Sequence, residues 1–192
     1  MKFRRDNLLI AIVLSALAAA PAQAKDGAYV GDVAMSRTES GRLAASFTLQ
    51  NAMGPRVLET LESGLPVRFL YRAKVTCDDL PSWDRTVGTK DLERILEKDN
   101  LKNRYVVTEG EARHEFDTLE DATAVMSRVT DLSVVRLSKL PESGACRLEI
   151  QVRLEEFRLP FHLHRVLPFV SFWDVRTPWH LEAIPDEIRG KP

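Results

Sequence analysis

The chain has 192 residues, with 27 basic and 28 acidic side chains that give a formal net charge of −1. These charges are balanced and interspersed, so the sequence offers no basic patch for nucleic acid or for an anionic membrane surface. This length and a hydrophobic content of 44% suit one domain with a substantial core.

The first 24 residues have the pattern of a secretory signal peptide. A positively charged start precedes an apolar run over residues 8–20, and Ala-Gln-Ala at residues 22–24 forms a cleavage site. The apolar run is shorter than the roughly 20 residues of a bilayer span, which favours cleavage between Ala24 and Lys25 over a retained anchor. We therefore predict a periplasmic or secreted protein with one mature domain over residues 25–192 and no stable membrane span after cleavage. The removed segment carries three basic residues and one acidic residue, which leaves a mature net charge of −3.

The mature chain is expected to begin with strands and one short helix. A first strand is predicted near Tyr29 to Met35, and clean alternation of apolar and polar residues predicts a half-buried strand over residues 43–50. Pro55 and Gly64 suit the start and end of a short helix. Residues 67–77 then alternate again, which predicts a strand with one face in the core.

Two interpretations of residues 78–103 remain open on the pattern alone. Leu92, Ile95 and Leu96 have helical spacing. The alternative is a long strand that turns near Asp99 and returns as a hairpin. Periodicity alone slightly favours the helix.

The second half of the chain predicts one helix and two strands. Thr118 begins a capping-box-like sequence, and the apolar residues after it form one helical face: Leu119, Ala122, Val125, Met126 and Val129. Strands are predicted over residues 133–138 and 146–155, the second with a mixed-charge outer face typical of a solvated surface. These elements predict an α+β fold that is mainly β: an antiparallel β-sandwich-like fold or one strongly curved sheet, with two short helices.

Cys77 and Cys146 are the two cysteines of the chain. Each lies in phase with the apolar face of its strand, and an exported protein folds in an oxidising compartment. We therefore predict a disulfide between them, with two buried thiols as the alternative. A redox-active pair is not expected, because there is no C-x-x-C motif and buried thiols resist ionisation.

The sequence does not predict catalytic residues, a cofactor or a defined metal site. The motifs of serine hydrolases and zinc peptidases are absent from the sequence. His162 and His164 would share a face of an extended segment and are weak metal candidates, with His114 or His180 as a third ligand. Polar edge positions explain these histidines more simply.

An aromatic segment over residues 157–179 ends the predicted domain. Its aromatic side chains are expected to cover an open side of the core. Trp173 and Trp179, with Arg176 between them, are the candidates for gripping a peptide, glycan or other ligand.

The mature chain as a whole resembles the exported proteobacterial family catalogued as domain of unknown function 4390. The resemblance covers roughly residues 28–183 and rests on the order of several short motifs: residues 58–67, Tyr105-Val106-Val107, residues 116–122, Arg158-Leu159-Pro160-Phe161, and Trp173 with Trp179. It implies a strand, a turn and a strand over residues 90–107, so the hairpin is the prediction adopted for that region. The resemblance brings no established activity or catalytic residue. It also implies an envelope partner such as a membrane sensor kinase, because relatives are often encoded beside one.

Three functions of different classes follow from these observations. The leading hypothesis is a non-enzymatic interaction or signalling-accessory module of the cell envelope, with an exposed sheet edge or apolar groove near the aromatic segment. The alternative is a small-ligand-binding sensor that uses a cavity between the sheet and the helices. A metal-dependent hydrolase is the third and least favoured.

Overall fold

A computed structural model describes residues 27–79, 83–142, 144–156 and 174–190. The predicted signal segment, His162, His164 and Trp173 lie outside these residues. The strands are β1 (Tyr29–Arg37), β2 (Arg42–Gln50), β3 (Val67–Asp79), β4 (Trp83–Asp99), β5 (Arg104–Glu109), β6 (Ala112–Phe116), β7 (Arg128–Arg136), β8 (Cys146–Glu156), β9 (Asp174–Arg176) and β10 (His180–Ala183). The helices are α1 (Pro55–Glu62), α2 (Leu119–Ser127) and α3 (Asp186–Arg189).

These strands form two antiparallel sheets that pack face to face. The smaller sheet has the order β1-β2-β7, and the larger has the order β10-β8-β3-β4-β5-β6, with β9 also paired to β8. The sheets share one hydrophobic core, in which the rings of Phe47 and Tyr71 lie 6.2 Å apart between centroids. The predicted mainly-β α+β fold is therefore confirmed, in its sandwich form.

The centre of the core comes from β3 and β8, whose alternation of apolar and polar residues is the strongest in the chain. Their inward positions are all buried: Val67, Phe69, Tyr71, Ala73, Val75 and Cys77 on β3, and Cys146, Leu148, Ile150, Val152 and Leu154 on β8. Cys77 and Cys146 are directly opposite in the β3–β8 register and are joined by a disulfide, with their Cα atoms 4.0 Å apart. This bond agrees with the prediction from phase and compartment.

The hairpin predicted over residues 90–107 is confirmed, and the helix favoured by periodicity is wrong. β4 pairs with β5 across a turn at residues 100–103. Leu92, Arg94 and Leu96 alternate on the inward side, so the buried arginine breaks the apolar pattern of the strand. Ile95 lies on the opposite face of β4. Its spacing from Leu92 resembles one turn of a helix, which made the pattern misleading.

Arg94 is buried where its guanidinium can donate hydrogen bonds to backbone carbonyls at the C-terminal end of α2. Its Nη1 donates to the carbonyls of Val125 and Arg128, each at 2.7 Å, and its Nε is 2.6 Å from a Glu109 carboxylate oxygen. A cation at a helix C-terminus also interacts favourably with the helix dipole. Burial raises the pKa of the neighbouring Tyr71, whose hydroxyl donates to the Met126 carbonyl. This polar cluster fixes α2 against the sheets.

Three predictions about the elements need correction. α2 begins as predicted, with the Thr118 hydroxyl accepting the Asp121 N–H at 3.1 Å, but it ends at Ser127. Val129 therefore belongs to β7, which starts five residues before the predicted 133, because its β-branched residues pair with β2. Strands β6, β9 and β10 were not predicted, and the four-residue helix α3 is a third helix where two were predicted; all four elements are short and lack a clear apolar period.

Gly88 on β4 permits close packing of the two sheets at one edge. A Cβ placed on Gly88 would lie 2.6 Å from Cγ2 and 2.7 Å from Cβ of Val135 on β7. A larger residue would force these strands apart. Among the described residues, we found no helix with the length and apolar character needed to cross a membrane.

Candidate functional site

The outer face of the larger sheet carries a surface where β3 and β8 meet the connection between β9 and β10. We define the Trp179 surface by five residues: Lys74, Arg147, Glu149, Trp179 and Leu181. Trp179 lies in the β9–β10 connection, and Leu181 lies directly opposite Glu149 in the β8–β10 register. The surface thus combines two apolar side chains with charged residues of the central strands.

The β9–β10 connection is fixed to β8 through Thr177. The Thr177 N–H donates to the Val152 carbonyl at 2.9 Å, and the Val152 N–H donates to the Thr177 hydroxyl at 3.0 Å. The Gln151 side chain donates to the Thr177 carbonyl at 3.1 Å. Thr177 is buried and makes three hydrogen bonds to β8. These bonds fix the backbone of the connection that carries Trp179.

Lys74 links the apolar and charged parts of the surface. Its Nζ is 2.9 Å from a Glu149 carboxylate oxygen and 4.5 Å from the centroid of the Trp179 ring. The ammonium therefore makes an ion pair and a cation–π contact together. The outer face of β8 is not the fully solvated surface predicted, because Lys74 and Arg147 cover Glu149 and leave its side chain only 8% exposed.

Arg147 holds the other end of Glu149 and neutralises two more carboxylates. Its Nε is 3.1 Å from Glu149, its Nη1 is 3.4 Å from Asp78, and its Nη2 contacts Asp84. The hydrogen bond with Asp84 raises the pKa of Arg147. Burial raises the pKa of Glu149, but the hydrogen bond and charge of Lys74 and the charge of Arg147 outweigh it, so that pKa lies below its ordinary value. The charges of the Trp179 surface are thus paired with one another and with the neighbouring carboxylates of Asp78 and Asp84.

Two exposed apolar side chains, Trp179 and Leu181, lie beside these charges. In the described part of the chain, large hydrophobic residues are exposed at five positions, of which Val175, Trp179 and Leu181 fall within seven consecutive residues. Trp179 is 37% and Leu181 is 56% exposed. Sequence reasoning selected Trp179 but missed Leu181, which stands alone between polar neighbours and carries no periodic signal.

The other predicted interaction residues have different positions. Arg176 is exposed on β9, directly opposite Arg153 of β8, so it belongs to the same outer face. Trp173 is outside the described residues. Val175 faces the other way, opposite the buried Leu154.

Val175 lies at the rim of an apolar cleft of about 380 Å³ between the sheet edge and the start of α1. Ala28, Ala52, Val57 and Leu154 are among the apolar residues that line it. Leu154 and Val57 also belong to the core, so the cleft reaches from the surface to the core boundary.

The histidines give no metal site within the described structure. His114 is exposed on β6, whereas Nε2 of His180 is 3.4 Å from the Glu182 carboxylate on β10. In residues 27–79, 83–142, 144–156 and 174–190, no three His, Cys, Asp or Glu side chains converge in a way that could hold a metal ion. The candidates His162 and His164 lie outside these ranges.

Comparison with known proteins gives a family and no characterised relative. No curated protein and no solved structure matches the chain. The family model described as a domain of unknown function (DUF4390) matches residues 25–182. Because that match covers most of the chain, including the sandwich and the Trp179 surface, the protein belongs to the DUF4390 family.

Proposed function

We propose that the mature chain is a non-enzymatic interaction module of the bacterial cell envelope, acting as a signalling accessory that binds another envelope protein through the Trp179 surface. The observation that carries the proposal is that Trp179 and Leu181, two of the five exposed large hydrophobic residues in the described part of the chain, both belong to this surface. Tryptophan at a partly buried, ordered position is the residue type that most often dominates protein-binding energy.

The charges of the Trp179 surface favour a protein partner with an apolar contact region. Lys74, Arg147 and Glu149 are neutralised by one another and by nearby carboxylates, so the surface has no strong field of one sign. A nucleic acid or an anionic membrane would be bound by unpaired cations.

An envelope location is supported by three features of the chain. Residues 1–24 have the signal-peptide pattern, the family match begins at residue 25, and the disulfide suits an oxidising compartment. A membrane sensor kinase is the partner class implied by the family resemblance.

The test is capture of partners from envelope extract with three forms of the mature protein. We expect wild type to retain a discrete partner that Trp179→Ala loses by at least tenfold. Leu101→Ala is the matched control, because Leu101 is fully exposed in the turn between β4 and β5. Equal recovery of every partner by all three forms would remove the proposal.

The apolar cleft favours a second candidate, a sensor for a small apolar ligand. Its volume of about 380 Å³ lies within the usual range of ligand pockets, roughly 300–1,000 Å³. Fluorescence of N-phenyl-1-naphthylamine should rise on binding to wild type and to Trp179→Ala, but not on mixing with Val175→Glu. Equal fluorescence with and without the Val175 change would exclude this cleft as the ligand site.

A further inference from the structure

A second, polar cleft lies outside the Trp179 surface, where β4 of the larger sheet meets β2 and β7 of the smaller sheet. We define the basic cleft by Arg42, Gly88, Arg136 and Lys139, which line a space of about 420 Å³. The other residues that line this cleft are Val87, Thr89, Val134 and Val135. Its lining therefore includes three cationic side chains and no acidic one.

The strand register places two of these cations against each other. Arg42 and Arg136 are directly opposite in the antiparallel β2–β7 pair. Like charges at directly opposed positions destabilise a sheet, because their Cβ atoms are only about 4.5–5.5 Å apart. Lys139 adds a third positive charge from the turn after β7. None of the ion pairs found among the described residues involves Arg42, Arg136 or Lys139.

The two directly opposed arginines of the basic cleft differ from the other directly opposed arginine pair of the described strands, because that pair has a carboxylate partner. Arg153 and Arg176 are also directly opposed, on β8 and β9, but there a Glu155 carboxylate oxygen is 3.0 Å from Arg153. Lys74 and Arg147 likewise have carboxylate partners. The mature chain has an excess of acidic residues, yet none of the residues that the structure describes along the basic cleft is acidic.

Arg42 is held in place before any ligand arrives. Its Nε donates to the Ser133 hydroxyl at 2.5 Å, and its backbone N–H donates to the Thr38 hydroxyl at 3.0 Å. The guanidinium is thereby anchored through one nitrogen while its two terminal nitrogens remain available. Such a fixed fork loses little conformational entropy when it binds an anion.

We propose that the basic cleft binds the phosphoryl group of a phosphorylated ligand. A phosphomonoester carries about −1.5 to −2 charges and three acceptor oxygens at pH 7, which matches two guanidinium forks and one ammonium. An anion bound between Arg42 and Arg136 would be attracted by both guanidinium groups, and this attraction would offset the repulsion between them. The cleft volume leaves room for the rest of the ligand, which is either a soluble phosphomonoester or a phospholipid whose headgroup is a phosphomonoester.

Binding of two probes distinguishes these sources at constant ionic strength. Calorimetry measures inorganic phosphate, and co-sedimentation measures vesicles with phosphatidic acid, whose headgroup is a phosphomonoester, against vesicles with oleate at equal surface charge. We expect saturable binding in at least one arm: phosphate alone indicates a soluble ligand, and a preference for phosphatidic acid indicates a headgroup. No binding in either arm, or equal binding to both vesicle types without phosphate binding, would overturn the proposal.

Matched variants connect that binding to the cleft. Arg136→Gln and Lys139→Gln should each weaken binding at least tenfold, whereas Arg128→Gln should change it less than twofold. Arg128 is the control because it is an exposed arginine on the same strand, outside the cleft. Equal weakening by all three variants would show a general charge effect and contradict the proposal.

Thermal unfolding separates a binding role of Arg136 from a structural one. Without ligand at low ionic strength, Arg136→Gln should unfold at the same or a higher temperature than wild type, because repulsion with Arg42 is relieved. Phosphate or phosphatidic acid, whichever binds, should raise the unfolding temperature of wild type only. A clear loss of stability in ligand-free Arg136→Gln would assign Arg136 to the fold and overturn its role in binding.

Discussion

Removal of the Cys77–Cys146 cross-link should lower the free energy of unfolding by about 4 kcal/mol. The two cysteines are 69 residues apart in sequence. In the chain-entropy treatment, a closed loop of this length removes roughly 15 cal/mol/K from the unfolded ensemble, which is about 4 kcal/mol at 298 K. For a mature domain of this size, such a loss corresponds to a fall of roughly 8–16 °C in the unfolding temperature.

Urea unfolding of the mature domain measures this loss in three forms. The oxidised protein is compared with protein that has been unfolded, reduced and refolded in reductant, and with the Cys77→Ala/Cys146→Ala double variant. Mass spectrometry with thiol alkylation verifies the oxidation state of each sample. Oxidised and reduced samples with free energies of unfolding within about 0.5 kcal/mol would refute the reasoning.

Three further predictions concern the buried ion pairs and the contact between sheets. Arg94→Leu should lower the free energy of unfolding by about 3 kcal/mol, because it removes charged hydrogen bonds at the end of α2. Arg113→Leu, which removes an exposed ion pair with Glu97, should lower it by less than about 1 kcal/mol in the same urea assay. Because the folded-state pKa of Glu149 is lowered, its stabilising contribution is complete above its unfolded pKa of about 4.3 and is lost as pH falls through the folded pKa. Below about pH 4.5, the free energy of unfolding of Glu149→Gln should therefore fall less steeply with falling pH than that of wild type. Parallel plots of the free energy of unfolding against pH would contradict this prediction. Gly88→Ala should lower the free energy of unfolding by roughly 1–3 kcal/mol, because the added methyl group would overpack against β7. Gly31→Ala is the control and should leave it nearly unchanged, because a Cβ on Gly31 would have ordinary contacts at 3.6 Å.

The parts of the fold that were predictable from sequence are those where one face of a strand is uniformly apolar. β3 and β8 satisfy this condition at every inward position, and their phase also placed Cys77 beside Cys146. β4 does not satisfy this condition, because Arg94 occupies an inward position, where it donates hydrogen bonds to backbone carbonyls at the end of α2. That contact is tertiary, so no local pattern in residues 83–99 could reveal it.

The candidate site was predictable only in part, for a related reason. Trp179 stood out as an aromatic residue after the last clear strand, but its contact with Lys74 depends on how Thr177 fixes the chain to β8. The basic cleft gave no signal, because Arg42 and Arg136 are 94 positions apart in the sequence and become neighbours only through the β2–β7 register.

The central claim is that the Trp179 surface binds another envelope protein, and site-specific photocrosslinking in cells tests it most directly. A photoreactive residue is placed at Leu181 in the full-length protein, and at Leu101 as the exposed control. We predict a discrete adduct with a different protein from position 181, its loss when Trp179→Ala is added, and no such adduct from position 101. The claim is contradicted if both positions give the same adducts, if position 181 gives none, or if the adduct survives Trp179→Ala.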